Sequence, residues 1–135
     1  MKFYFAGAIR GGRDKVDIYM KINELLEQYG EVLDKHVASP NVFQLEEGLT
    51  PKEKYERDIK WISECDILVA EVSMPSLGVG YEISYAEKLG KRFICIYDEQ
   101  IKLSAMISGN EYNELIKYKD TKDLLKQLET KLKNN

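Results

Sequence analysis

Short hydrophobic runs alternate along the chain with longer segments that have helical spacing. The runs at 66–71 and 92–97 are almost wholly apolar, as expected of strands that are covered on both faces of a parallel sheet. A similar run at 2–6 opens the chain. Weaker runs at 31–37 and 114–118 predict a second strand and a last strand.

The segments between these runs predict helices. Thr50-Pro51-Lys52-Glu53 is typical of a capped helix start, and this helix is expected to run to about residue 64. Another helix is predicted from about 78 to 90. The first and last helices each carry an apolar stripe, formed by Ile18, Ile22, Leu25, Leu26 and Tyr29 before Gly30, and by Leu124, Leu125, Leu128 and Leu132.

Strands that alternate with helices predict a doubly wound α/β fold, with a mainly parallel five-stranded sheet flanked by helices. The length of 135 residues suits a single domain over residues 1–135. Residues 38–49 follow neither period, which predicts a mobile loop that could cover a site. Ligands of such sheets bind beyond the carboxyl ends of the strands, and this rule selects three loops: 7–13, 72–80 and 98–108.

The charge balance and the cysteines restrict the class of protein. With 20 Lys and Arg against 23 Asp and Glu, the net charge of -3 argues against a partner that is a nucleic acid polymer or an anionic membrane. The apolar runs are far shorter than the ~20 residues of a membrane span, and the N terminus leads straight into a strand, so we expect a cytoplasmic protein. Cys65 and Cys95 form no ligand cluster with the only histidine, which predicts buried thiols, no metal site and no cofactor.

The loop after the first strand, Gly7-Ala8-Ile9-Arg10-Gly11-Gly12-Arg13, is a candidate phosphate site. Backbone N–H groups at a helix start attract a phosphate, and a guanidinium adds paired donors. The loop is neither a GxxxxGK[ST] P-loop nor a GxGxxG fingerprint, so a classical NTPase or a dinucleotide enzyme loses its main support. The alternative is a glycine turn with solvent-exposed arginines.

Two carboxylates are candidates for chemistry. Glu82 lies beside the buried stripe of its helix near the helix start, where the helix dipole favours an ionised carboxylate. An ionised carboxylate suits a nucleophile. The alternative is a glutamate that accepts hydrogen bonds from backbone N–H groups. Asp58 has apolar neighbours that would raise its pKa, which suits a proton donor, although an ion pair with Lys54 explains it equally well. His36 is more often a hydrogen-bonded structural residue than a catalyst.

Several longer blocks occur in order between about residues 3 and 118: YFAGAIRGGR at 4–13, HVA at 36–38, Asp58 with Trp61, AEV at 70–72, PSLGVGYE at 75–82 and LSAMI at 103–107. Together they closely resemble the 2'-deoxynucleoside 5'-phosphate N-hydrolases of the nucleoside 2-deoxyribosyltransferase superfamily. The resemblance implies a flavodoxin-like or Rossmann-like fold and a homodimer. It also implies cleavage of the N-glycosidic bond of deoxynucleoside monophosphates to a free base and 2-deoxyribose 5-phosphate.

The same resemblance implies roles for individual residues. Glu82 corresponds to the nucleophile that attacks C1', Asp58 to the acid that assists departure of the base, and Tyr4 to the hydroxyl that orients the nucleophile or the sugar. The other positions correspond to substrate-binding groups: Arg10, Ser76 and Ser104 for the 5'-phosphate, with Ser104 and Met106 reaching in from the neighbouring subunit; Ile9, Tyr19 and His36 for the base and sugar; and Gly7, Ala8, Gly78 and Ala105 beside them. The family often has serine where this chain has Ala8, which predicts the loss of one phosphate hydrogen bond.

The chemistry of the bond agrees with these roles. Breaking it builds oxocarbenium character at C1', which a close carboxylate captures while a second acid protonates the leaving base. The alternatives are a nucleoside 2-deoxyribosyltransferase, which passes the sugar to a second base, a hydrolase of ribonucleotides, and a non-catalytic nucleotide-binding module. The serines and Arg10 favour a phosphorylated substrate, and the set of Tyr4, Asp58 and Glu82 favours an enzyme.

Overall fold

The computed structural model describes residues 1–9 and 15–134 and contains a parallel sheet flanked by helices. The strands of this part of the chain are β1 (Lys2–Gly7), β2 (Glu31–Val32), β3 (Ile67–Glu71), β4 (Arg92–Asp98) and β5 (Glu114–Tyr118). Its α-helices are α1 (Val16–Glu27), α2 (Val42–Leu45), α3 (Pro51–Glu64), α4 (Leu77–Lys88), α5 (Ala105–Ser108) and α6 (Thr121–Lys133). A 3₁₀ turn covers Lys35–Ala38.

The strand order is β2-β1-β3-β4-β5, and every neighbouring pair is parallel. This is the order of flavodoxin-like sheets, so the predicted fold class is confirmed. β1 and β3 lie side by side from Phe3 opposite Ile67 to Gly7 opposite Glu71. The chain changes its direction across the sheet between these two strands, and a crevice forms beyond their carboxyl ends.

The two faces of the sheet carry separate hydrophobic cores because alternate residues of each strand point to opposite sides. On the side of α1 and α6, the buried strand residues include Phe3, Phe5, Ile67, Val69, Ile94 and Ile96. On the side of α3 and α4, they include Tyr4, Ala6, Leu68, Ala70, Phe93 and Cys95. The alternation therefore places the Tyr4 side chain under the two helices that carry Asp58 and Glu82.

The second strand is shorter than predicted. It pairs with β1 only at Glu31 and Val32, and the predicted strand residues 35–37 lie in the 3₁₀ turn. The cause is Asp34, whose fully buried carboxylate accepts the Phe5 amide at 2.8 Å in place of a further backbone partner. A side chain therefore replaces the strand at this position of the sheet.

The predicted loop 38–49 has more structure than its sequence indicates. It contains α2, which begins at Val42, a residue with 0% exposure. The Leu45 amide donates to the carbonyl of Asn41 at 3.0 Å, so a single helical turn forms around this apolar anchor. The segment borders the cleft described below, in line with a covering role, although the prediction of an irregular loop is wrong.

The start of α3 is confirmed in detail. The Glu53 amide donates to the Thr50 hydroxyl at 3.1 Å, and the Glu53 carboxylate accepts the Thr50 amide at 2.9 Å. Pro51 occupies the first turn, where a helix needs no N–H donor. The closing helix α6 also buries its predicted stripe, through Leu124, Leu128 and Leu132.

The end of the first helix shows why a glycine stands there. α1 ends at Glu27, and Gly30 follows it after one further turn. A Cβ on Gly30 would lie 2.1 Å from the backbone oxygen of Met1, because the chain passes the start of β1 at this point. Close backbone approach therefore requires glycine here.

Both cysteines are free and buried, with exposures of 1% for Cys65 and 0% for Cys95, which confirms the expectation of core thiols. Among the described residues, the longest apolar helical stretch falls short of what crossing a bilayer would take.

Asp34 gives the fold a pH dependence that a single substitution tests. Burial raises the pKa of Asp34 well above its usual value; the Phe5 amide opposes this, and the carboxylates of Glu82 and Asp58 add to it. The folded chain therefore takes up this proton before the unfolded chain does, and the contribution of Asp34 to stability falls as the pH rises through its folded-state pKa. We expect Asp34→Asn to be more stable than the native chain at high pH, by roughly 1–3 kcal/mol, because it no longer buries a charge.

The measurement is urea unfolding of both proteins between about pH 5 and pH 9, where the difference in unfolding free energy should grow with pH. The matched control is Asp66→Asn, since Asp66 is exposed and accepts another β1 amide, that of Lys2, at 2.7 Å. A difference for Asp34→Asn that stays constant with pH would contradict the expectation.

Candidate active site

A cleft of about 1080 Å³ opens beyond the carboxyl end of β1. The segment that leads from β3 into α4 forms one wall, and α3 together with residues 43–49 forms the other. This is the switch-point position at which doubly wound sheets bind ligands. Of the predicted site residues, the cleft brings together Gly7, Ile9, Asp58, Ser76, Gly78 and Glu82.

Glu82 lines this cleft, and the buried Tyr4 side chain holds it through a hydrogen bond. The Tyr4 hydroxyl, on β1, donates to Oε2 of Glu82 on α4. Burial, and after it the Glu82 carboxylate, raises the pKa of Tyr4 well above its usual value, so the phenol keeps its proton and acts as a donor. Within the described part of the chain, Oε1 of Glu82 accepts no hydrogen bond, so one oxygen is fixed and the other is available to a ligand.

The electrostatic expectation for Glu82 is wrong in direction. Burial raises its pKa to about 7, although the hydrogen bond from Tyr4 favours the ionised form. α4 begins at Leu77, so Glu82 lies beyond the first turn, where the helix dipole has its main effect. Desolvation therefore exceeds the dipole, and the carboxyl changes its protonation state close to neutral pH.

Asp58 lies on α3, across the cleft from the start of α4. Burial raises its pKa, as expected from its apolar neighbours, and the hydrogen bond and charge of Arg57 oppose that shift. The Arg57 Nε atom donates to Oδ1 of Asp58 at 3.0 Å. The ion pair that the structure gives Asp58 is thus with Arg57, and the predicted pair with Lys54 is not formed.

Arg57 also connects Asp58 to the segment that covers the cleft. Its guanidinium donates to Oε2 of Glu46 at 2.5 Å and lies 4.9 Å from the centre of the Trp61 ring. His36 places Nε2 2.9 Å from the same Glu46 oxygen. His36 is therefore a hydrogen-bonded residue of a Glu46–Arg57–His36 cluster at the edge of the site. It is not one of the residues that line the cleft.

The residues predicted to hold phosphate are only partly described. Arg10, with Gly11, Gly12 and Arg13, lies outside the described residues. Ser76 is the N-cap of α4, where its hydroxyl accepts the Val79 amide at 3.2 Å, and a Cβ on Gly78 would lie 4.0 Å from that hydroxyl oxygen. The start of α4 therefore lines the cleft, and the N terminus of a helix is a favourable position for an anion.

Other predicted residues lie outside the cleft. Tyr19 has 0% exposure and packs edge-on against Phe5, with ring centres 5.2 Å apart, while its hydroxyl donates to the carbonyl of Ala8 at 3.4 Å. A Cβ on Gly7 would lie 2.8 Å from the Tyr19 ring, so the tyrosine packs directly against the end of β1. Ala8 is also fully buried.

Ser104, Ala105 and Met106 form the start of α5, where the Ser104 hydroxyl accepts the Met106 amide at 3.2 Å. Ser104 and Met106 border a second cavity of about 580 Å³, which shares Ser76 and Leu77 with the cleft. Met106 is 84% exposed and Leu77 is 97% exposed. The α5 residues therefore lie beside the proposed phosphate site but do not line the cleft of their own chain.

Sequence reasoning missed the outer half of the cleft. An apolar wall comes from Phe43, Leu49, Tyr55, Ile59 and Tyr81, and the two tyrosine hydroxyls lie 3.2 Å apart. Aromatic residues at 43, 55 and 81 were the available signal, but they lie on separate elements and only the fold brings them together. Such a wall suits a flat, partly apolar group, and the carboxylates lie deeper.

The comparisons with known proteins identify the family of this chain. The family model described as Nucleoside 2-deoxyribosyltransferase matches residues 3–130. A 5-hydroxymethyl-dUMP N-hydrolase of Danio rerio is 41% identical over 91% of this chain and 88% of its own, and one of Esox lucius is 38% identical over the same shares. A solved CMP N-glycosidase of Clostridium botulinum, at 22% identity, has the same fold, with a TM-score of 0.76 over 97% of this chain and 99% of its own. The chain thus belongs to the nucleoside 2-deoxyribosyltransferase family.

Proposed function

We propose that this protein hydrolyses the N-glycosidic bond of 2'-deoxynucleoside 5'-monophosphates, giving a free base and 2-deoxyribose 5-phosphate. The observation that carries the proposal is the Tyr4–Glu82 hydrogen bond in a cleft that also contains Asp58. Relatives that cover most of this chain are named as N-hydrolases of a deoxynucleotide, which supports hydrolysis as the reaction. A binding module would need neither a buried nucleophile nor an acid.

In the first step, the free oxygen of ionised Glu82 attacks C1' of the sugar. The C1'–N bond breaks, its electron pair leaves with the base, and Asp58 supplies a proton to the base. The raised pKa of Asp58 makes it a better proton donor than an exposed aspartate. Tyr4 holds the other Glu82 oxygen, so the carboxylate is oriented before the substrate binds.

In the second step, water attacks C1' and the ester bond to Glu82 breaks. The ionised Asp58 takes the proton of that water, which restores both carboxyl groups. Water and a second base compete for the same intermediate, and that competition separates a hydrolase from a transferase. The names of the relatives favour water for this chain.

The 5'-phosphate is proposed to bind at Ser76 and the start of α4, with Arg10 as the main cation. The described lining of the cleft carries four acidic residues and Lys54 as its basic residue: Glu46, Glu47, Asp58 and Glu82. Such a cleft repels a phosphate unless the glycine loop adds positive charge. Arg10 is therefore expected to decide between nucleotides and nucleosides.

The active form is proposed to be a homodimer in which Ser104 and Met106 complete the phosphate site of the neighbouring copy. Support comes from the exposed apolar side chains around the second cavity, notably Leu77 and Met106. Exposed apolar residues that lie together mark contact surfaces. Ser104 borders the adjacent cavity and does not line the cleft of its own chain.

Glu82→Gln tests the nucleophile. The amide oxygen can still accept from Tyr4, so the fold should persist, but a neutral amide cannot form the ester; we expect kcat to fall by at least about a thousandfold. The measurement is chromatographic release of free base from a panel of deoxynucleotides and ribonucleotides, with and without an acceptor base. The control is Glu129→Gln, since Glu129 also accepts a tyrosine hydroxyl, that of Tyr29 at 2.9 Å, on the other face of the sheet. Full activity in Glu82→Gln would reject the mechanism, and base exchange without net hydrolysis would assign a transferase.

Arg10→Ala tests the phosphate assignment. Loss of a charge-assisted pair should raise KM for deoxynucleotides by about tenfold or more, with little change for deoxynucleosides. Arg13→Ala removes the other guanidinium of the same loop and should have the smaller effect. Equal use of nucleotides and nucleosides by the native protein would contradict a phosphate site.

Mixing two impaired variants tests the dimer. Ser104→Ala chains and Glu82→Gln chains are each expected to be impaired at low nucleotide concentration. When they are combined, activity should recover to about a quarter of the native value, because half of the dimers are mixed and one of their two sites is intact. Activity that only equals the sum of the separate variants would show that Ser104 does not act across an interface.

A further inference from the structure

A buried polar network lies at the carboxyl edge of the sheet, on the opposite face from Tyr4 and Glu82. Its centre is Glu71, the last residue of β3, which is 1% exposed. The alternation along β3 turns Glu71 toward the α1 and α6 side, with Ile67 and Val69. The proposed reaction does not use this carboxylate.

Every hydrogen bond that Glu71 accepts fixes a neighbouring segment. The Ser73 amide donates to Oε1 at 2.9 Å, and the Ser73 hydroxyl donates to Oε2 at 2.8 Å. The Tyr118 hydroxyl, at the end of β5, donates to Oε2 at 2.7 Å. Burial beside Glu71 raises the pKa of Tyr118 to about 12, so the phenol stays protonated and remains a donor.

Ser73 extends the network to β4 and α1. Its hydroxyl accepts the Asp98 amide at 2.9 Å, and the Asp98 carboxylate forms a 2.9 Å ion pair with Lys15. The amide of Gln100 and the ammonium of Lys15 hold the pKa of Asp98 below its usual range, which preserves the pair. Glu71, Ser73, Asp98, Lys15 and Tyr118 are called the edge network below.

The edge network joins the segments that carry Ser76 and Ser104 to Lys15, which directly precedes α1. Ser73 stands shortly before Ser76, Asp98 stands shortly before Ser104, and Lys15 is the first described residue after the loop that contains Arg10. These segments follow β3, β4 and β1, which are separate in sequence. A contact between any two of them would set their spacing, and the edge network connects all of them through one serine and one carboxylate.

We propose that Glu71 and Ser73 are positioning residues that set the relative placement of the phosphate-binding segments for the site of their own chain and, through Ser104, for that of the second copy. The inference rests on the proposed function. A buried carboxylate without a cationic partner among the described residues is costly, and hydrophobic residues of similar volume would stabilise the fold as well. Hydrophobic residues could not form the hydrogen bonds that fix the positions of the three segments relative to one another.

Ser73→Ala is the main test, because it removes the hydroxyl that both donates to Glu71 and accepts from Asp98. We expect KM for a deoxynucleoside monophosphate to rise by about tenfold, as for the loss of one charge-assisted hydrogen bond, with kcat and the hydrolysis of the matching nucleoside unchanged. Tyr118→Phe should act in the same direction with a smaller effect. Tyr29→Phe is the matched control, since Tyr29 also donates to a glutamate but lies away from the edge network, and its KM should stay native.

Amide hydrogen exchange gives a second readout that does not depend on turnover. Exchange over residues 98–104 should accelerate in Ser73→Ala and stay native in Tyr29→Phe. If Ser73→Ala leaves both KM and amide exchange at their native values, this inference is overturned and the proposed function stays intact. An equal loss of activity on the nucleotide and on the matching nucleoside would have the same consequence. A native chain with no activity on deoxynucleotides would overturn the proposed function itself, and the exchange experiment would then still decide whether Ser73 fixes these segments.

Discussion

The hydrogen bond from Tyr4 to Glu82 is the constraint on which the site depends, because it joins β1 to the helix that starts at the switch point. Tyr4 can reach α4 only if β1 keeps its register against β3, with Tyr4 opposite Leu68. A slip of one residue would turn Tyr4 to the other face of the sheet. The apolar alternation of β1 and β3 thus fixes the fold and, at the same time, the orientation of the candidate nucleophile.

Burial gives this site its electrostatic character. Burial is the largest cause of the raised pKa values of Glu82, Asp58 and Asp34. The charge of Asp58 adds to the rise at Glu82, and the charges of Glu82 and Asp58 add to the rise at Asp34. Arg57 opposes the shift at Asp58 and at Glu82. Two carboxyl groups that line the cleft, Glu82 and Asp58, therefore have raised pKa values, and that of Glu82 is about 7. Carboxyl groups with shifted pKa values in one cleft are typical of sites that use acid–base chemistry.

Local chemistry explains which features were predictable. Strand alternation, the Thr50 capping box and the leucine stripe of α6 depend on neighbours within a few residues, so the sequence carries them directly. The carboxyl-edge rule selected the loops that follow the strands, and the family resemblance assigned Asp58 and Glu82 to one site; the cleft contains both residues. Three features depend on tertiary contacts: the Asp34 side chain that replaces strand pairing beside Phe5, the ion pair of Asp58 with Arg57, and the burial of Tyr19 against Phe5. Residue spacing contains no signal for such contacts, and the sign of the Glu82 shift was missed because burial outweighs a dipole that is felt mainly in the first turn.

The two faces of the sheet carry different kinds of polar groups at its carboxyl edge. The face under α3 and α4 carries Tyr4, Asp58 and Glu82, where partial burial adjusts reactivity. The face under α1 and α6 carries Glu71 and Tyr118, where the carboxylate accepts hydrogen bonds from the Ser73 amide, the Ser73 hydroxyl and the Tyr118 hydroxyl. Because adjacent residues of one strand face opposite sides, Ala70 and Glu71 belong to different faces, and the chain that leaves β3 passes from one to the other before Ser76. In a small parallel sheet, positioning and reactivity can thus be supplied by separate cores that meet only where the strands end.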